Sequence, residues 1–423
     1  MTRIPFSRRR FIQAGAGAVT VVGLGACSDD GITLSSGPTS TVPGPAVSTT
    51  TTGSTPATST TVPTPNGPRR LVVVQLNGGN DMLNTLPPSD GRYMDLRPGI
   101  AVPEADRLAL SGETSVGLHP SLAPLLPFWE RGNLAMVQGI GFADPNRSHF
   151  VSMDRWWRAD ELTRPGWLGR VLDAEAGQWS ALAATGLGGA APLLNGAAVQ
   201  PTIISSPNAF QLQILEPSWL DFGAGDATSL AGQYRQSLAT ALEAMEDFAG
   251  LVTEAEDTAD LPDFAGGNPI SDGLATAAAL LTADVGARLV VVSASGFDTH
   301  SGQAAVQAGL LTDLAQGLNG FQQAMDAADL GQDVLVVTTS EFGRRAAENA
   351  SEGTDHGAGG LSFVLGNAVQ GGLYGSADLG DLLDGDIRPV IDPRAMYTAC
   401  LDWLGADVEA VLGRRYDGLS VLR

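Results

Sequence analysis

The stretch that most restricts the fold runs from Gln332 to Gly360, QDVLVVTTSEFGRRAAENASEGTDHGAGG. Val334 to Val337 is an unbroken apolar run of strand length, and Thr338-Thr339 prolong it. Polarity then arrives at once, with Ser340, Glu341, Gly343, Arg344 and Arg345, followed by Thr354-Asp355-His356-Gly357. Continuous apolar strands belong to sheets buried on both faces. Open α/β sheets of that kind place their chemistry at the carboxyl ends of the strands. The pattern occurs twice more: Leu289–Val292 leads into Ser293-Ala294-Ser295-Gly296-Phe297-Asp298-Thr299-His300, and Leu71–Leu76 leads into Asn77-Gly78-Gly79-Asn80-Asp81.

Between these runs lie helical patterns. Leu311, Leu314, Leu318, Phe321 and Met325 form one face of a helix joining the His300 strand to the Glu341 strand, a βαβ arrangement that implies parallel strands. A second amphipathic helix is expected through Leu230, Tyr234, Leu238, Leu242, Met245 and Phe248. His119-Pro120 is expected to open a helix over SLAPLLPFWERG, Asn133–Gln138 and Leu361–Leu365 to be strands, and Pro393–Leu404 to be a helix. The expected fold class is α/β, a mostly parallel central sheet flanked by helices.

The chain before residue 69 has another character. Ser7-Arg8-Arg9-Arg10-Phe11-Ile12, then an Ala/Gly/Val-rich run ending in Leu24-Gly25-Ala26-Cys27, reads as a twin-arginine export signal with a lipobox over residues 1–27. Residues 28–68 are Ser, Thr, Pro and Gly, the composition of a disordered tether. The globular region is therefore 69–423, carried to the cell envelope and anchored through a lipid on Cys27. With Cys27 so used, Cys400 is left without a disulfide partner. The net charge of −22 with no Lys argues against nucleic acid as a partner; membrane contact is expected only through Cys27.

Candidate site residues follow from the strand ends. Asp298 and His300 are two apart in a loop and can turn to one side as O and N ligands of a metal, although a capping Asp and a surface His would read the same. Asp355-His356 adds a second O/N pair, with Gly357 permitting close backbone approach. Asp81, Glu341 and His149 complete the candidate ligand set. Ser148, at a helix start, is a candidate nucleophile or equally an N-cap. Arg147 and Arg344 are candidates to bind an anionic oxygen, or to pair with this acidic chain's own carboxylates.

The twin-arginine start, LNGGNDMLNTLPP, LHPSLAPL, Arg147-Ser148-His149-Phe150, GFDTH, Ser340-Glu341-Phe342-Gly343-Arg344, GTDHG and the tail from Asp386 to Leu412 together resemble domain-of-unknown-function family 1501, exported bacterial proteins. The resemblance spans residues 69–423 and the signal. It implies the alkaline phosphatase-like and sulfatase-like fold, whose members are two-metal hydrolases or transferases of phosphate and sulfate esters. On that implication Asp81 matches the metal Asp of the first strand, Ser148 the nucleophile, and Asp298, His300, Asp355 and His356 the later ligands. One or two divalent metals, Zn²⁺, Mn²⁺ or Ca²⁺, are expected, with a small anionic ester or a surface glycan as substrate. One departure stands out: sulfatase-like relatives end the VLVVTTS strand in Asp-His-Gly, whereas here it ends in Glu341-Phe342-Gly343. A non-catalytic surface lipoprotein on a degenerate hydrolase scaffold is the alternative.

Overall fold

The apolar runs become the middle of one sheet. A computed structural model describes residues 68–162, 164–175, 179–205, 232, 264 and 268–423. The export signal, the tether and the helix expected at 230–248 lie outside these, except for residues 68 and 232. The strands are β1 (Arg70–Leu76), β2 (Leu108–Leu110), β3 (Glu113–Leu118), β4 (Leu134–Ile140), β5 (Ala184–Leu187), β6 (Thr202–Ile204), β7 (Leu289–Ala294), β8 (Val334–Thr339), β9 (Gly360–Leu365), β10 (Gly372–Gly375), β11 (Leu382–Leu383) and β12 (Asp386–Ile387). The main sheet has eight strands in the order β10-β4-β9-β8-β1-β7-β5-β6. Its pairings are parallel except for those of β9, which is antiparallel to both β4 and β8. β2–β3 and β11–β12 are separate two-stranded ribbons.

β1 is the centre. Val72 lies opposite Val290 of β7 on one side and Val336 of β8 on the other. Alternation along the strand sends Leu71 and Val73 into one apolar layer and Val72, Val74 and Leu76 into the other. The first layer is filled from α1 (His149–Arg158), α2 (Trp167–Ala174) and α5 (Pro393–Leu404), where the Trp167 and Tyr397 rings stack at 4.5 Å. The second is filled from α3 (Pro269–Thr282) and α4 (Gln303–Ala327). Both faces are covered, so these strands carry no polar alternation. The α4 crossover joins β7 to β8 across β1, which lies between them.

One expected helix comes out differently. Pro120–Leu125 is a 3₁₀ turn and only Leu126–Glu130 is α-helical. Pro124 and Pro127 lack the N–H groups that a continuous α-helix would require there.

A candidate metal centre at the strand ends

Because the order is β7-β1-β8, the loops leaving these three strands emerge side by side. The turn after β1 is pressed between the other two. A Cβ on Gly78 (φ +122°) would lie 2.2 Å from the Asp298 backbone N, and one on Gly79 (φ +85°) would lie 2.5 Å from the Phe342 ring. Only glycine meets both demands. Arg344 fastens the same loops. Its fully buried guanidinium donates to the carbonyls of Gly79 (2.8 Å), Gly78, Phe297 (3.0 Å) and Thr354 (2.8 Å), and to Asp298 Oδ1 (2.7 Å).

Three of the chain's four histidines meet at this point. His300 Nε2 and His356 Nε2 each lie 3.0 Å from Asp298 Oδ1 and 2.9 Å from each other, while His149 Nε2 is 3.4 Å from Asp298 Oδ2. The opposite ring nitrogens face acceptors. His149 Nδ1 is 2.7 Å from Glu341 Oε1, His356 Nδ1 is 2.7 Å from the Arg147 carbonyl, and His300 Nδ1 is 3.4 Å from Asp355 Oδ1. An Nδ1–H directed at each acceptor leaves Nε2 bare, the state a metal-binding imidazole needs. Bare lone pairs at 2.9 Å, facing a carboxylate, repel unless a proton or cation lies between them.

The spacing suits a cation. In a tetrahedral site with bonds of about 2.0–2.1 Å, neighbouring donor atoms stand about 3.3 Å apart. His300 Nε2, His356 Nε2 and Asp298 Oδ1 stand 2.9–3.0 Å apart, and His149 Nε2 stands 3.4 Å from Asp298 Oδ2. His149, Asp298 and His356 each offer a ligand atom within 4.8 Å of the others. Burial alone would raise the Asp298 carboxyl, but the hydrogen bond and the positive charge of Arg344 work against it and the carboxyl is held down at about 2. This carboxylate is thus kept ionised.

Phe342, which interrupts the Asp-His-Gly pattern, is an apolar floor. Its ring centroid lies 4.6 Å from that of His356 and 5.0 Å from that of His149, and it is buried.

The remaining candidates take other places. Asp81 does not join the cluster: its Oδ1 caps the helix Met82–Thr85 through Leu83 N (3.0 Å) and Asn84 N (3.4 Å), and its Oδ2 accepts from Arg97 (2.5 Å) and Gln303. The cation beside it is a guanidinium, so the residue that the resemblance makes a ligand is a cap and ion-pair partner. Glu341 and Asp355 orient histidines, and Glu341 Oε1 also accepts from Gly78 N at 2.9 Å. Arg344 has no free face for a substrate oxygen. Arg147 is turned away as well, its side chain bound to Asp386 at 3.0 and 2.6 Å. Ser148 stands at the N-cap of α1 with no side-chain capping bond. His119 is elsewhere, its Nδ1 accepting from Ser121 N at 3.1 Å.

Residues 144–420 match the sequence model of a family described as protein of unknown function, DUF1501. The chain belongs to this family. No curated protein matches the sequence. Among solved structures, this DUF1501 member is similar to a protein of the alkaline phosphatase superfamily from Vibrio parahaemolyticus, at 8% identity and a TM-score of 0.41, covering 82% of this chain and 69% of that one. It is also similar to the zinc complex of the C-terminal periplasmic domain of EcEptC from Escherichia coli, at 9% identity and a TM-score of 0.35 over 71% and 73% of the two chains. A third is the lipoteichoic acid synthase LtaP from Listeria monocytogenes, at 10% identity and a TM-score of 0.35 over 80% and 72%.

Two buried residues of this DUF1501 chain escaped the reading of its sequence. Arg97 and Gln303 neutralise and hold Asp81, and nothing in RPG or SGQ marks either as a partner of a residue far along the chain.

Proposed function

We propose that this chain is an exported, metal-dependent hydrolase of a phosphate or sulfate ester, with the ion held by His149, His300, His356 and Asp298. The observation that carries the reading is the convergence of three Nε2 atoms on one carboxylate while the Nδ1 atoms of His149 and His356 are hydrogen-bonded to acceptors and that of His300 faces Asp355. Three nitrogens and one oxygen favour Zn²⁺ or Mn²⁺ over Ca²⁺, a hard cation that takes six to eight oxygens. With Arg97 beside Asp81, one ion per chain is expected rather than two.

A bound divalent metal would supply positive charge to the ester oxygen and to the oxygen that attacks it. The chain's own contribution is placement. Glu341, Asp355 and the Arg147 carbonyl fix the three imidazoles, Arg344 fixes Asp298, and Phe342 excludes water from below His149 and His356. Ser148 is the nucleophile this reading favours. Its hydroxyl makes no capping bond, it is adjacent to a ligand in sequence, and the N-terminus of the ten-residue α1 stabilises negative charge on oxygen. The signal and lipobox in residues 1–27 support an envelope location with anchoring at Cys27, and the Ser/Thr/Pro segment supports a tether.

Elemental analysis of protein purified without chelator, with aryl phosphate and aryl sulfate assays, tests the reading. About one Zn or Mn per chain and turnover abolished by His300→Ala are expected, with Ser148→Ala eliminating turnover but not the metal. A protein that neither carries nor takes up metal overturns it. Metal without turnover on any ester leaves the non-catalytic binding role in its place.

A further inference from the structure

We propose that Asp386 is a positioning residue of the metal centre, acting through Arg147 on His149 and His356 together. The inference rests on the metal-site reading above and concerns how that site is held. Asp386 lies in β12 with a side chain only 1% exposed, whereas that of Arg147 is 43% exposed. Arg147 reaches inward and donates twice to Asp386 Oδ2, from Nε at 3.0 Å and Nη2 at 2.6 Å.

The main chain of the same arginine does something different. Its carbonyl accepts the Nδ1–H of His356 at 2.7 Å, and the next residue but one is His149. Two ligands from distant parts of the chain therefore take their positions from one side-chain anchor. The anchor is itself fixed to the loop that bears His356. Asp386 forms a β-bridge with Arg345, Ala346 N donates to Gly385 O at 3.0 Å, and Gly359 N donates to Ile387 O at 2.9 Å.

The other carboxylate oxygen weighs against a merely structural role. Asp386 Oδ1 has no hydrogen-bond partner among the described residues, and Arg345 Nε is 3.7 Å away. A buried carboxylate half-satisfied in this way costs stability, and an apolar side chain would fill the place with less penalty. What the carboxylate secures is a single orientation for Arg147, and so for the carbonyl that selects the His356 tautomer. Outer partners of metal-binding histidines change affinity by about 10–100-fold.

The test is a competition titration of Zn²⁺ against a chromogenic chelator. It uses the mature wild-type chain, Arg147→Ala, Arg147→Lys, Asp386→Asn and Asp386→Leu. Long-range ¹H–¹⁵N spectra of the metal-free imidazoles are recorded alongside. Arg147→Ala and Asp386→Leu are expected to weaken Zn²⁺ by about 10–100-fold, with partial recovery in Arg147→Lys and Asp386→Asn. Metal-free Arg147→Ala should melt with the wild type yet lose the fixed Nδ1–H form of His356. If Asp386→Leu fails to fold, Arg147→Ala carries the test alone. Wild-type affinity and tautomer in Arg147→Ala overturn the proposal. Should the wild type itself take no Zn²⁺, the metal reading fails, while the tautomer comparison still decides whether Asp386 positions His356.

Discussion

Asp81 and Arg97 separate a structural ion pair from a metal ligand, and the difference is measurable. Both side chains are essentially inaccessible, at 1% and 0% exposed, so solvent does not screen the pair. Arg97 also donates to Asn84 Oδ1 (2.8 Å) and to the carbonyls of Ala346 (2.9 Å) and Arg345 (2.8 Å). Arg97→Met leaves Asp81 charged in the interior with only the cap donors and Gln303. Removing one partner of a buried pair costs about 3–5 kcal/mol, and the two orphaned carbonyls, at about 1 kcal/mol each, account for part of it, since Asn84 Oδ1 keeps the Tyr93 hydroxyl at 2.8 Å. Asp81→Asn should cost a similar amount by turning an amide N–H₂ toward the guanidinium or toward the cap donors. Urea unfolding of the metal-saturated mature chain gives the loss, and elemental analysis of the folded variants gives the stoichiometry. Large destabilisation with unchanged metal content is expected for both. An Asp81→Asn protein that is stable but depleted of metal would refute the reasoning and return Asp81 to the ligand set.

Chelation should lower the thermal midpoint of the wild type but not of His300→Ala, since an ion at 100 times its Kd adds about 2.7 kcal/mol to the native state alone. In the metal-free protein Asp298 is held at about 2, below its ordinary 3.8, so its contribution is complete above pH 3.8 and lost as pH falls through 2. Acid unfolding curves of wild type and Asp298→Asn should therefore diverge above that window and merge below it. Gly78→Ala places a Cβ 2.2 Å from the Asp298 backbone N at a φ of +122°. Overpacking of about 1–3 kcal/mol plus about 1–2 kcal/mol for the backbone should appear in the denaturation midpoint, together with weaker Zn²⁺ binding.

The strands β1, β7 and β8 were readable because burial on both faces writes itself as uninterrupted Val and Leu. The direction of β9 was not: Leu361–Leu365 is equally apolar, and nothing in such a run distinguishes a parallel neighbour from an antiparallel one. That His300, His356 and Asp298 lie together was readable from their place after strand ends. The arginines were not. Arg344 stands beside glycine and acids, as an anion-binding arginine would, and only its enclosure by four backbone carbonyls shows that its donors are taken. Asp81 was misassigned for the complementary reason, since its partner Arg97 lies in a connection with no periodic signal. Asp386 was noticed as part of a closing segment, but its link to Arg147 joins positions 239 residues apart.

The return of β9 against β8 has a consequence for loading. The segment bearing Glu341 and His356 starts and finishes in hydrogen-bonded neighbours, roughly 4.8 Å apart, and Arg344 staples its interior to the turn after β1. Such a segment has little freedom to swing or unravel. The ion would enter a rim already shaped to receive it, and its arrival should stiffen the protein without reorganising it.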